Sequence, residues 1–179
     1  MKIKHLLILA VTIFLLISCG STEISRSHFK SSIHGKKKIA LVNVNVNTKY
    51  TEASTRRNIT AEYEIILKQN GYTIIDREII EKAIQENKLP VDREYSTSEI
   101  AKLSEKVNAD ILVQGFVSEA SESLVSDEHT INFHFKYYSN NGVYVGETLY
   151  QYRGGDTVLD PKLVNKALIN MLRPFGIKK

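Results

Sequence analysis

Cysteine is almost absent from this chain: Cys19 is the only one among 179 residues. One thiol excludes an intramolecular disulfide framework and, in a monomer, a multi-cysteine zinc site. Motifs for common chemistries are missing as well, with no GxxxxGK[ST] phosphate loop, no GxSxG nucleophile elbow, no HExxH and no CxxC. Long apolar runs are also lacking. The longest, residues 6–17 with only Thr12 polar, would rise only about 18 Å as a helix, against a hydrocarbon layer of about 30 Å. The excess of one charge sign is small, 24 Lys+Arg against 20 Asp+Glu. With 42% hydrophobic and 25% charged residues, the composition fits one globular domain and excludes a disordered or fibrous chain.

What is present begins with an address. Lys2, Lys4 and His5 precede the apolar run, the layout of a secretory signal. Leu16-Ile17-Ser18-Cys19-Gly20 then resembles the bacterial lipobox, in which cleavage leaves the cysteine as the first mature residue and acylates it. Residues 1–18 are thus read as the signal peptide and Cys19 as the lipidation site. The competing reading, a buried cysteine in a short anchor helix, leaves the position and spacing of Cys19 unexplained. Several acyl chains anchor stably where one myristoyl chain is marginal. Gly20, instead of Asp, after the cysteine resembles the outer-membrane sorting signal of enteric bacteria. The expected location is therefore the outer membrane, lipid-anchored, with the domain facing the periplasm.

Residues 20–38 hold many serines, the triplet Lys36-Lys37-Lys38 and no periodic apolar pattern. The expectation for 19–38 is an acylated Cys followed by a flexible tether, with an r.m.s. span of about 24 Å. His28 and His34 inside it read as solvated side chains, and the lysine triplet as a solvated run or a contact with anionic headgroups. Two basic residues lie in 1–18 and five in 20–38, with one acid between them, leaving 17 basic and 19 acidic residues in 39–179. The positive balance thus belongs to the signal and tether, and it gives no reason to expect a nucleic-acid partner.

The folded part is expected over 39–179. Residues 39–46 are β-branched and apolar, a strand buried on both faces. Ile59, Tyr63, Ile66 and Leu67 follow helical spacing within a helix over 55–69, closed by Asn70-Gly71. Residues 72–75 form a short strand, and Asp76 stands at the N-cap of a helix that would bury Ile79, Ile80, Ala83 and Ile84 and finish before Pro90. Ser96 and Glu99 make a capping box for a third helix with Ile100, Leu103 and Val107 inward. Residues 109–117 form a strand, and from Ile131 the period becomes two. Asn141-Gly142 signals a two-residue type I′ hairpin, which sets Phe133 opposite Tyr150, Ile131 opposite Tyr152, Phe135 opposite Thr148 and Tyr137 opposite Gly146. Asp160-Pro161 opens a last helix with Leu163, Ala167, Leu168, Met171 and Leu172 inward. The order β-α-β-α-α-β-β-β-α predicts an α/β (α+β) domain, one mixed sheet flanked by helices.

Candidate chemistry is sparse. His134 has no ligand-type neighbour at a convincing spacing, and His129, five residues away, falls on the opposite face of a regular strand. Gly154-Gly155 reads as a turn. Asp76, Glu78, Glu99 and Asp160 are explained as caps or first-turn charges, and no carboxylate pair is set up for acid–base work. The only cysteine is assigned to lipid, so no catalytic residue, metal site or cofactor is expected, and the protein is read as a non-enzyme.

Three stretches resemble the CsgG/LpoB-like periplasmic lipoprotein family: 71–81, with Gly71 and Asp76-Arg77; 96–103; and 108–115, with Ala109-Asp110 and Gly115. The resemblance implies a sheet domain like the amino-terminal domain of TolB, in which these six residues act as fold motifs. It further implies an accessory of envelope assembly, with a partner such as a penicillin-binding protein that the domain activates. The alternative it implies is a subunit of a curli-type outer-membrane secretion channel, which would make the protein a homo-oligomer. A channel of that type needs additional membrane strands of about 9–11 residues, and the one candidate hairpin is already required by the sheet.

Overall fold

The first element has no apolar pattern to announce it. In the computed structural model, which describes residues 21–30, 33, 35, 38–47, 53–90, 93–121, 129–154 and 160–177, Thr22–Phe29 form a strand, β1, within the stretch expected to be a flexible tether. β1 lies antiparallel to a later strand over its whole length, from Thr22 opposite Arg153 to Phe29 opposite Gly146. Its side chains are exposed except for half-buried Ile24 and Phe29, so neither strand nor helix period is legible there. The tether expectation is corrected accordingly: the domain starts at Thr22, and Arg26, His28 and Lys30 belong to the folded body. Cys19 lies outside the described residues.

Strand β2 (Lys38–Asn47), helix α1 (Ala53–Gln69), strand β3 (Thr73–Ile74), helix α2 (Arg77–Glu86) and helix α3 (Thr97–Lys106) follow. Then come strands β4 (Ile111–Ser121), β5 (His129–Ser139) and β6 (Tyr144–Gly154), helix α4 (Pro161–Met171) and a 3-10 turn, Arg173–Phe175. The described residues thus make one mixed sheet of six strands, in the order β1-β6-β5-β4-β2-β3, flanked by four helices. β2 pairs in parallel with β3 and β4, and the other pairs are antiparallel.

Two cores sandwich the sheet. On one face α1 and α4 cover Leu41, Val113, Phe133, Phe135, Tyr137 and Tyr150, all at most 1% exposed. On the other, α2 and α3 bury Ile80, Ala83, Ile84, Ile100 and Leu103 against Ala40, Val42, Leu112 and Tyr138. Ile79, expected inward, is 47% exposed, because the buried stripe of α2 runs through 80, 83 and 84 and leaves 79 on its flank. Leu163 in α4 is half-buried, and Val164 takes the inward position.

The aromatic register of the hairpin is as the pairing arithmetic sets it, with Phe133 opposite Tyr150 and Tyr137 opposite Gly146. The turn is different. Gly142 N–H donates to Ser139 O, and Ser139 N–H to Val143 O, both at 2.9 Å. That closes a three-residue loop with Gly142 left-handed at φ 76°. A type I′ turn requires positive φ at both central residues, and among the described residues only Lys88 is a non-glycine with positive φ. Tyr138 then faces Tyr144 while Tyr137 faces Gly146, so Val145 is an extra residue that restores the aromatic register.

Candidate functional site: an open sheet face

The six family-motif residues serve the fold at separate places. Gly71, at φ 82°, closes α1 in a Schellman arrangement, with Tyr72 N–H donating to Leu67 O and Gly71 N–H to Lys68 O. Asp76 stands at the N-cap of α2, and its side chain makes no cap hydrogen bond. Arg77 Nη1 donates to Leu41 O at 2.9 Å. β3 ends after pairing with Lys38 and Ile39, so Arg77 satisfies the carbonyl that a longer β3 would have bonded. Asp110 accepts from Lys38 N–H through Oδ2 at 2.9 Å and donates its own N–H to Lys38 O at 2.8 Å, joining the starts of β2 and β4. Ala109, 4% exposed, leads into β4. A Cβ on Gly115 would stand 2.8 Å from the Phe135 ring, which stacks on Tyr63 at 5.0 Å. Arg77 also lines a surface pocket with Arg56, Arg57, Glu64 and Glu81, and the six are spread over separate parts of the fold.

The residues that do converge lie elsewhere. The α2–α3 core ends at Tyr138 and Tyr144, and beyond it the same sheet face belongs to neither core. Phe116 of β4, His134 and Lys136 of β5, and Glu147, Leu149 and Gln151 of β6 are half-buried there. At the boundary a groove of about 540 Å³ opens between this face and residues 93–97, which lead into α3; it is lined by Arg93, Glu94, Tyr95, Ser96, Lys136, Tyr138, Tyr144 and Glu147.

Charge in the groove is paired across elements. Lys136 meets Glu94 and lies over the Phe116 ring, 5.7 Å from its centroid. His134 Nε2 is 3.0 Å from Glu147 Oε2. Burial pushes the Glu147 carboxyl up, but hydrogen bonds from His134 and Tyr144 and the charges of His134 and Lys136 outweigh it and hold the group below its ordinary value. Tyr144 is pushed up to about 12 by desolvation and then by Glu147, and Tyr138 to about 12 by desolvation and then by Glu94. Arg93 forms a two-pronged pair with Glu99, at 2.6 and 3.1 Å. Glu99 also closes the predicted capping box on Ser96. On β4, opposite Lys136, Gln114 is fully buried, and among the described residues neither atom of its amide has a hydrogen-bond partner.

This arrangement is suited to recognition. The Ser96 hydroxyl donates to Glu99 at 2.8 Å and is committed to the cap. His134 stays on the open face, while His129 sits on the opposite face with Nδ1 2.9 Å from Glu119 Oε1. Among the described residues no group of three or more His, Cys, Asp or Glu is placed to hold a metal ion, and no helix is long and apolar enough to cross a membrane. The groove residues escape motif reading because their partners lie far apart in sequence, Lys136 and Glu94 being separated by 42 positions. One signal was available: the hairpin register sets Lys136 opposite Glu147.

No protein-family model matches the chain, and no curated protein matches it in sequence. Solved structures do match. A PelC dodecamer from Paraburkholderia phytofirmans is 15% identical with a TM-score of 0.54, over 88% of this chain and 100% of that one. The LpoB C-terminal domain from Salmonella enterica is 15% identical with a TM-score of 0.51, over 66% of this chain and 84% of that one. The lipoprotein GNA1162 from Neisseria meningitidis is 14% identical with a TM-score of 0.50, over 73% and 91%.

The fold is LpoB-like.

The PelC likeness is the longer of these. Residues 38–179 are only 142 of 179, so a match over 88% of the chain extends into the segment ahead of β2 that contains β1.

Proposed function

We propose that this protein is a lipoprotein of the bacterial envelope, anchored to the outer membrane through acyl chains on Cys19, whose domain acts by binding another envelope protein and not by catalysis. The observation that carries the reading is an LpoB-like fold bearing a groove whose acids and bases are mutually paired. Paired charges flanking Phe116, Tyr138 and Tyr144 suit a protein surface, where aromatic anchors sit among polar contacts. The finer reading is activation of a peptidoglycan synthase of the penicillin-binding class, the partner that the family resemblance supplies. Glycan-strand polymerisation by such a synthase, with and without the full lipoprotein in detergent, tests it. The rate should rise on addition of the wild type and fall back with Lys136→Glu, and an unchanged rate with the wild type contradicts activation.

A second reading is self-assembly. PelC is described as a dodecamer, and this chain covers the whole length of PelC. Light scattering on the detergent-solubilised lipoprotein separates the two readings, since a multimer favours assembly and a monomer favours a binding module. In either case the β5–β6 hairpin belongs to the sheet, which supports these readings over a curli-type membrane hairpin.

A further inference from the structure

We infer that the Thr22 end of the sheet faces the lipid surface at close range, so that the domain is held in one orientation and does not swing on a leash. The inference rests on acylation of Cys19 and adds to it a face and a height. Only Gly20 and Ser21 separate Cys19 from Thr22, a step of about 10 Å even when fully extended. Thr22 is already opposite Arg153 in the sheet.

β1 is fixed along its whole length. Phe29 packs on Tyr137 with centroids 5.3 Å apart, Lys30 N–H donates to Val145 O at 2.8 Å, and Glu23 pairs with Lys166 of α4. Swinging free would require stripping these contacts together with the strand's backbone pairing, in which each hydrogen bond contributes about 0.5–1.5 kcal/mol net. The strand therefore works as a strut from the anchor into the sheet.

The pairing registers name the end that is presented. Thr22, Arg153, Thr130 and Ala120 form one row across β1, β6, β5 and β4. The hairpin loop lies at the other end, nine residues up β5 from Thr130, or about 30 Å. Lys136 of the groove stands about 20 Å above the row by the same rise. A partner docking in the groove must therefore come within a few tens of ångströms of the anchoring membrane.

Charge does not drive this contact. Arg57 of α1 and Lys162 of α4 are exposed in the opening turns of the two helices that start at this end, and neither helix has an acid in its first turn. Asp160, the exposed N-cap of α4, adds a negative charge at the same end. With both signs present, the acyl chains hold the domain down, and added salt should leave the orientation unchanged.

The test uses the full lipoprotein in vesicles of phosphatidylethanolamine and phosphatidylglycerol containing a headgroup spin-labelled lipid. Acylation consumes the Cys19 sulfur, so Ala120→Cys or Val143→Cys supplies the sole free thiol for a fluorophore. Both positions are exposed, one in the Thr22 row and one beside the hairpin loop. Quenching should be several-fold stronger at 120 than at 143, unchanged by salt, and equalised by a Gly/Ser insert of about 20 residues between Ser21 and Thr22, whose span is about 25 Å. The intact mass of the same material reports acylation. An acylated protein quenched equally at both sites overturns the orientation alone, and an unmodified Cys19 overturns the anchor reading and the orientation with it.

Discussion

Arg77, the first residue of α2, donates from Nη1 to the carbonyl of Leu41 in the middle of β2, at 2.9 Å. One side chain thus replaces a strand: β3 reaches only Ile39, and the guanidinium takes the carbonyl two residues further on. Arg77→Met keeps the aliphatic stem and removes the donor, which should cost about 1–2 kcal/mol. Glu81→Ala removes only the exposed partner of Arg77 and should cost well under about 1 kcal/mol. Urea denaturation of both variants checks this, and equal small losses would show that the Leu41 carbonyl does not need the arginine.

The seat of β1 offers a second check. A Cβ on Gly146 would lie 2.5 Å from both His28 O and the Phe29 ring. Gly146→Val should destabilise the fold by about 1–3 kcal/mol through overpacking. Hydrogen exchange should accelerate across 22–29 while β4 and β5 keep their protection. Uniform loss of protection across the sheet would show that Gly146 does not act through the seat of β1.

Gln114 predicts a gain. A buried amide without partners carries a cost of about 1–3 kcal/mol, and methionine can follow the same unbranched path without it. Gln114→Met should stabilise the domain by about 1 kcal/mol or more, raising Tm by about 2–4 °C per kcal/mol. Calorimetry reads this directly, and a lower Tm would mean that the amide is satisfied in solution.

The capping box gives a pH signature. Hydrogen bonds from Arg93, then from the Ser96 backbone and hydroxyl, pull the Glu99 carboxyl from 4.5 down to about 2. A carboxyl whose pKa is lower folded than unfolded stabilises the fold above the unfolded value, and that stabilisation is lost as pH falls through the folded one. The wild type should therefore weaken more steeply than Glu99→Gln between 4.5 and about 2. Denaturation midpoints of the two proteins across that window should converge on acidification, and parallel curves would contradict the assignment.

Much of this fold was legible where side chains alternate against a core. Phe133 and Tyr150 specify the hairpin register because a slip of one residue would turn the aromatic face outward. The Ser96–Glu99 box and the Asp160-Pro161 start are local signals and sit where their chemistry requires. β1 was not legible, because an edge strand with only Ile24 and Phe29 partly buried has no period to read. The loop at Asn140–Gly142 departs from the two-residue turn that the sequence suggests, because the extra residue at Val145 restores the register that a shorter turn would produce. The groove was the least legible feature. Glu94 and Lys136 meet only once the segment leading into α3 lies against the sheet, and no spacing rule connects them.

The central claim, a lipoprotein that binds an envelope protein through its open sheet face, is tested most directly by photo-crosslinking in cells. A crosslinking residue placed at Leu149, on the open face opposite His134, is compared with one at Ile79 on the exposed flank of α2, each followed by mass spectrometry. A discrete envelope protein captured from Leu149 and absent from Ile79 is the predicted result, and recovery of only lipid and the protein itself from both positions would contradict it.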